Sequence, residues 1–120
     1  MNENETPSVD PQIAMVKESW NLLVKRGYVP GQKIAIDFVY VAQEKKKAER
    51  LKAYFQTQNN YEMKLVNNDD EYELSGKTPP VELSLEILET WIRKMLTLGE
   101  EYECLFDGWT TALSVSRAKK

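Results

Sequence analysis

The feature that most constrains this chain is the order in which its apolar spacing switches between a period of two and a period near 3.6. The clearest period-two stretch is Lys33–Val41. There Ile34, Ile36, Phe38 and Tyr40 point one way, and Ala35, Asp37, Val39 and Val41 the other. Both sets are largely apolar, which places the strand centrally in its sheet. Asp37 is the exception and needs a partner or water if its face is covered.

The other segments follow from the same reading. Residues 1–9 lack periodicity and read as a flexible lead. Asp10-Pro11 opens a helix: Asp caps free N–H groups and Pro suits the first helical position. Ile13, Val16, Trp20, Leu23 and Val24 then recur at helical spacing, with Trp20 read as core, until Lys25, Arg26 and Gly27 close the helix. Tyr28 to Gln32 is a link punctuated by Pro30 and Gly31. After the central strand, Glu44–Gln58 is helical, with Ala48, Leu51 and Phe55 inward and Lys45, Lys46, Lys47, Glu49, Arg50 and Lys52 outward. Tyr61 to Val66 alternates as a second strand, Asn67 to Asp70 turns the chain, and Tyr72 and Leu74 continue as a third, making a hairpin. Gly76 and Lys77 to Pro80 interrupt that strand, and Val81 and Leu83 extend it past a bend. Ser84 caps a helix built on Leu85, Leu88, Trp91 or Ile92, Met95 and Leu98, with Gly99 near its end. Tyr102, Cys104 and Phe106 form a last strand, Asp107-Gly108-Trp109 turns the chain, and residues from Ser114 onward are a tail.

A leading helix followed by β-α-β-β-α-β predicts an α+β fold, the ferredoxin-like α/β sandwich with an antiparallel four-stranded sheet and helices on one face. The expected division is a lead at 1–9, one domain at 10–113 and a basic tail at 114–120; a chain of 120 residues leaves no room for two full-sized domains. Under the helices the sheet should hold Ile34, Ile36, Phe38, Met63, Leu65, Leu74, Cys104 and Phe106. The opposite side receives Asp37, Glu62, Lys64, Glu73 and Glu103, partly beneath the leading helix. RNA-binding domains of this topology show stacking aromatics on that side; here it is acidic.

Composition removes several chemistries. The chain has no His, so a Ser-His-Asp triad, a Cys-His dyad and the usual zinc hydrolase sites cannot be built. The single Cys104 reads as a buried strand thiol, and one cysteine suits a reducing cytoplasm. The longest apolar run is Phe38 to Ala42, far short of the about 20 residues a bilayer needs, and the polar, acidic start does not resemble a signal peptide. The acidic turn Asp69, Asp70 and Glu71 lacks the twelve-residue calcium pattern, so neither metal nor cofactor is expected. An enzyme using a carboxylate pair, with Glu62 and Glu73 facing across the hairpin, is a further option. Charge is uneven: residues 1–59 sum to +2, residues 60–113 to −8 and the tail to +3. A folded body of that sign repels phosphate backbones and suits a basic partner.

Met95-Leu96-Thr97-Leu98-Gly99-Glu100-Glu101-Tyr102, followed by Phe106-Asp107-Gly108-Trp109, resembles the close of the regulator of ribonuclease E activity B (RraB) family, in which a Met-Thr-Leu-Ala helix leads through a strand into Tyr-Asp-Gly-Trp-Gly. The similarity spans about Pro11 to Leu113 and rests mainly on Asp107, Gly108 and Trp109. It implies a ferredoxin-like sandwich without catalysis of its own. It also implies a bacterial, cytoplasmic regulator that binds the basic scaffold region of ribonuclease E and modulates RNA decay. Candidate partner contacts are Asp69, Asp70, Glu71, Glu100, Glu101 and Glu103, although each is singly an ordinary solvated carboxylate. Asp107-Gly108-Trp109 reads first as a structural turn. Two alternatives stand beside this: direct RNA binding through the basic helix Lys45–Lys52, and a stand-alone protein-interaction domain of unrelated role.

Overall fold

The structure, a computed structural model, describes residues 11–113. The Asp10 cap, the lead and the tail lie outside the described residues. The chain begins with α1 (Pro11–Ala14) and α2 (Val16–Lys25), separated only at Met15. The backbone bonds Met15 N–H to Pro11 C=O and Ser19 N–H to Met15 C=O carry the helical path through that break, so one leading helix is a fair reading.

Next come β1 (Lys33–Ile34), β2 (Ile36–Ala42), α3 (Lys45–Tyr54), a wider π-type turn at Phe55–Asn59, β3 (Glu62–Asn68), β4 (Glu71–Lys77), β5 (Val81–Glu82), α4 (Leu85–Tyr102) and β6 (Leu105–Thr111). The large sheet is antiparallel with strand order β3-β4-β2-β6, and β1 and β5 form a separate antiparallel pair. The expected first strand is therefore split. Thr78 explains where: its N–H donates to Ile36 C=O at 2.9 Å and its buried hydroxyl oxygen accepts from Ile36 N–H at 3.0 Å, so the ladder ends there and β1 peels away to β5.

β2 is central, as its two apolar faces require. Ile36, Phe38, Tyr40 and Ala42 are buried, and Asp37, Val39 and Val41 are only half-buried. The buried set joins Ala48, Leu51 and Phe55 of the α3 segment, Leu88, Ile92 and Met95 of α4, and Leu74 and Phe106. The Tyr40 hydroxyl donates to the Met95 carbonyl at 2.6 Å, and burial holds its phenol well above the usual range. Tyr28, in a segment whose Pro30 and Gly31 mark a link, is core: its hydroxyl donates to Gln32 C=O and accepts from Leu83 N–H, both at 2.7 Å.

Four boundaries differ from expectation. Gly76 and Lys77 lie inside β4 rather than interrupting it, paired with Phe38 and Asp37. Asn67 and Asn68 remain paired in β3, so the hairpin connection is only Asp69 and Asp70, with Asp69 at φ 60°. Tyr102 belongs to α4. That helix starts on Ser84, whose hydroxyl accepts from Ile87 N–H, and ends where Glu103 turns left-handed (φ 57°) while Cys104 N–H bonds back to Gly99 C=O at 2.8 Å. Gly99 thus sits inside the last turn. Finally, Asp107-Gly108-Trp109 is no turn: it lies within β6 at a bulge. Tyr40 pairs with Phe106 and Val39 with Gly108, leaving Asp107 as the extra residue. Gly108 adopts φ 142°, a region that L side chains rarely adopt, so the same glycine signal serves a bulge as well as a turn.

Candidate functional site

The nominated carboxylates gather at one end of the large sheet but in two groups. Asp69, Asp70 and Glu71 sit at the β3–β4 connection. Glu100, Glu101 and Glu103 sit where α4 hands over to β6. The two meet the same end because Ala42, at the close of β2, pairs with Tyr72, and Val41 pairs with Leu105. Between them starts α3, and its lysines enter the acidic end: the Lys47 ammonium bonds the Glu103 carboxylate and lies 3.3 Å from Glu44, and Lys45 lies 3.9 Å from Glu49. Asp69, Asp70, Glu71, Glu100 and Glu101 make no ion pair among the described residues.

The hydrogen bond from Lys47 draws the Glu103 carboxyl below its ordinary range, and that bond to Glu103 raises Lys47 above its own. A depressed carboxylate pKa supports the fold above its unfolded value and loses that support as pH falls through the folded value. The raised lysine supports it below the unfolded ammonium pKa and loses that as pH climbs past the folded one. The pair is exposed, so its effect is local. Lys47→Met is expected to return Glu103 to ordinary carboxyl titration in a carbon-detected NMR pH series; an unchanged, still depressed midpoint would remove Lys47 as the cause. Two of the five basic residues of this helix, Lys45 and Lys47, therefore face its own carboxylates or Glu103, with Lys46, Arg50 and Lys52 left unbridged among the described residues.

The proposed carboxylate pair does not form: Glu62 stands opposite Lys77, and Glu73 opposite Val66. Among the described residues no group of three or more His, Cys, Asp or Glu side chains is placed to hold a metal ion. Cys104 is buried, and desolvation pushes its thiol pKa up, away from a reactive thiolate. No described helix is long and apolar enough to cross a membrane.

Two further surface features stand out. Asp107, Gly108 and Trp109 line a groove of about 330 Å³ between β6 and the leading helices, with Met15 and Leu22 exposed on its rim. The other is the sheet face away from α3 and α4. The register sets Asp37, Val39 and Val41 beside Lys77, Ser75 and Glu73 on one flank, and beside Thr110, Gly108 and Leu105 on the other. Glu62, Lys64 and Val66 extend the first flank. Asp37, Glu62, Lys64 and Glu73 are where the alternation puts them. Glu103 is not, because it closes α4 instead of entering the strand. Leu105 is 66 % exposed on this face, a large apolar side chain in water. Its alternation in the sequence was visible; its lack of cover was not.

This is a small mixed α/β protein, with its helices against one side of a four-stranded sheet and a mixed acidic and apolar surface on the other. Residues 16–111 match the regulator of ribonuclease activity B (RraB) family. The chain belongs to that family, whose members regulate ribonuclease activity. A search of curated proteins returns no match.

Proposed function

We propose that this protein is a non-catalytic, cytoplasmic, bacterial regulator of RNA decay that acts by binding the basic scaffold region of ribonuclease E. The observation that carries the reading is the family match over 16–111, which takes in the central strand, both long helices and the Asp107-Gly108-Trp109 bulge. The fold is read as ferredoxin-like: β2, β3, β4 and β6 supply its four strands, and the order β3-β4-β2-β6 leaves a gap in each strand-helix-strand unit that a strand of the other fills. Residues 10–113 act as one domain in this reading. The negative balance of residues 60–113 supports a cationic polypeptide as partner, and Asp69, Asp70, Glu71, Glu100 and Glu101 are its free carboxylates. Glu103 is a weaker candidate, since Lys47 already holds it.

The test is direct. Added protein should slow RNA cleavage by full-length ribonuclease E and leave its isolated catalytic part unaffected. Binding to the scaffold should weaken roughly tenfold as the Debye length shrinks from about 30 Å at 0.01 M salt to about 8 Å at 0.15 M. Equal inhibition of both enzyme forms, or no inhibition at low salt, would overturn the reading.

A further inference from the structure

We infer that the open face of the sheet, centred on Val39, Val41 and Leu105, is the docking surface for a cationic amphipathic helix-forming segment of the partner. The inference deepens the regulatory reading and rests on it for the identity of the partner.

The face is uncovered among the described residues. Val39 and Val41 of the central strand are only half-buried, Val66 is 37 % exposed and Leu105 is 66 % exposed. Gly108, next to Val39 in the register, adds no side chain, so the apolar strip has a shallow floor rather than a ridge. Antiparallel sheets that leave a face to water normally line it with polar groups. Here the central strand presents Val39 and Val41, with Leu105 beside Val41 on β6, while the neighbouring β4 presents Glu71, Glu73, Ser75 and Lys77.

Charge selects the occupant. Asp37, Glu62, Glu71 and Glu73 flank the strip, against Lys64 and Lys77, and Lys77 lies 4.0 Å from Asp37. Asp69 and Asp70 extend the same sign from the adjoining connection. An apolar stripe edged by Arg or Lys complements that pattern; a phosphate backbone does not. The shape also favours a helix. Strands of seven residues span about 20 Å at roughly 3.4 Å per residue, the length of about fourteen residues of helix at 1.5 Å each. Addition of a strand at the β6 edge is disfavoured, because the bulge at Asp107 breaks the ladder and the Gln12 side chain already donates to Phe106 C=O at 2.8 Å.

The experiment uses the full chain, isotope-labelled, with three probes: a synthetic leucine–arginine amphipathic peptide, its leucine–glutamate counterpart, and the scaffold region of ribonuclease E. The cationic peptide should shift the amides of Val39, Val41, Leu105 and Gly108, and the acidic one should not. Leu105→Lys with Val41→Lys should weaken cationic-peptide binding at least about tenfold, through like-charge repulsion on a desolvated face. Glu86→Lys, on the exposed first turn of α4, changes net charge by the same amount and should leave affinity within about twofold if position rather than total charge matters. Failure of the cationic peptide to shift those amides, equal binding by the double variant, or scaffold binding through other residues overturns the docking surface. Peptide binding at this face with no scaffold binding at all upholds the surface and sinks the ribonuclease reading instead.

Discussion

Phe38→Ala is expected to destabilise the protein by about 3–5 kcal/mol, the range for removing a fully enclosed aromatic side chain. Phe38 is 1 % exposed and sits on the central strand. Its ring meets four others, with centroids at 5.4 Å to Phe55, 5.6 Å to Tyr61, 5.8 Å to Trp91 and 6.1 Å to Tyr40. Those rings come from β2, the end of α3, the entry to β3, and α4, so one side chain ties both helices to the sheet. Trp91 and Tyr61 are further fixed by an indole N–H to hydroxyl hydrogen bond at 3.2 Å, which limits how far the walls can collapse into the vacated space. Little collapse means that the cavity term adds to the lost transfer energy. A domain of this size has about 5–15 kcal/mol in total, so the loss is a large fraction of it. Urea unfolding should show the midpoint moving sharply with an unchanged slope. Phe38→Leu, which keeps most of the volume, should cost about 1.5 kcal/mol. A shift in Phe38→Ala no larger than that of Phe38→Leu would mean that the aromatic cluster is not the keystone of the core.

Period-two and period-3.6 spacing was enough to place the central strand, both long helices and the inward residues Ile36, Phe38, Tyr40, Leu51, Phe55, Leu74 and Phe106. Those assignments rest on side-chain burial, which repeats along the chain and is therefore written in it. The failures share a different cause. Glycine marks turns, so Gly76 and Gly108 look like punctuation in the sequence. Gly76 is in fact demanded by a ring packed across from it, and Gly108 by a bulge; both are tertiary reasons that leave the same letter in the sequence. Alternation places Glu103 in a strand, yet it accepts a left-handed backbone that costs a non-glycine residue about 1–2 kcal/mol, because closing α4 satisfies the carbonyls of Gly99 and Glu100. Tyr28 was hidden by its neighbours Pro30 and Gly31, which spoke for a loop, while its hydroxyl ties that loop to Leu83.

The candidate surface was half readable for the same reason. Net negative charge is additive and can be counted, so the acidic later half was visible. Which carboxylates are spent on neighbouring lysines is a matter of geometry. Lys47 comes from a different element and reaches Glu103 only because the start of α3 and the end of α4 meet above one end of the sheet. Likewise Leu105 alternates as any strand residue does, and only the absence of a described element over it makes it an exposed apolar side chain rather than core.

Gly76→Val should destabilise the native protein by about 1–3 kcal/mol, although valine is by far the better strand former. A β-carbon at position 76 would meet Phe38 Cζ at 2.4 Å and Met63 Sδ at 2.7 Å, distances that real contacts do not reach. Gly76 is the register partner of both residues, on β2 and β3, so the strand cannot slide to relieve the clash without moving two ladders. The Phe38 ring cannot swing aside, because Phe55, Tyr61 and Trp91 hold it. The origin of the penalty can be isolated by combining the two substitutions. In a Phe38→Ala background the space that the ring occupied is free, valine at 76 fills part of the cavity, and its strand preference becomes a net gain. The double variant should therefore be more stable than the sum of the single losses by roughly 1–3 kcal/mol, the coupling expected of residues in direct contact. Additive losses in the four-way comparison of urea midpoints would place the strain of Gly76→Val in the backbone or at Met63, and would show that Phe38 does not require glycine opposite it.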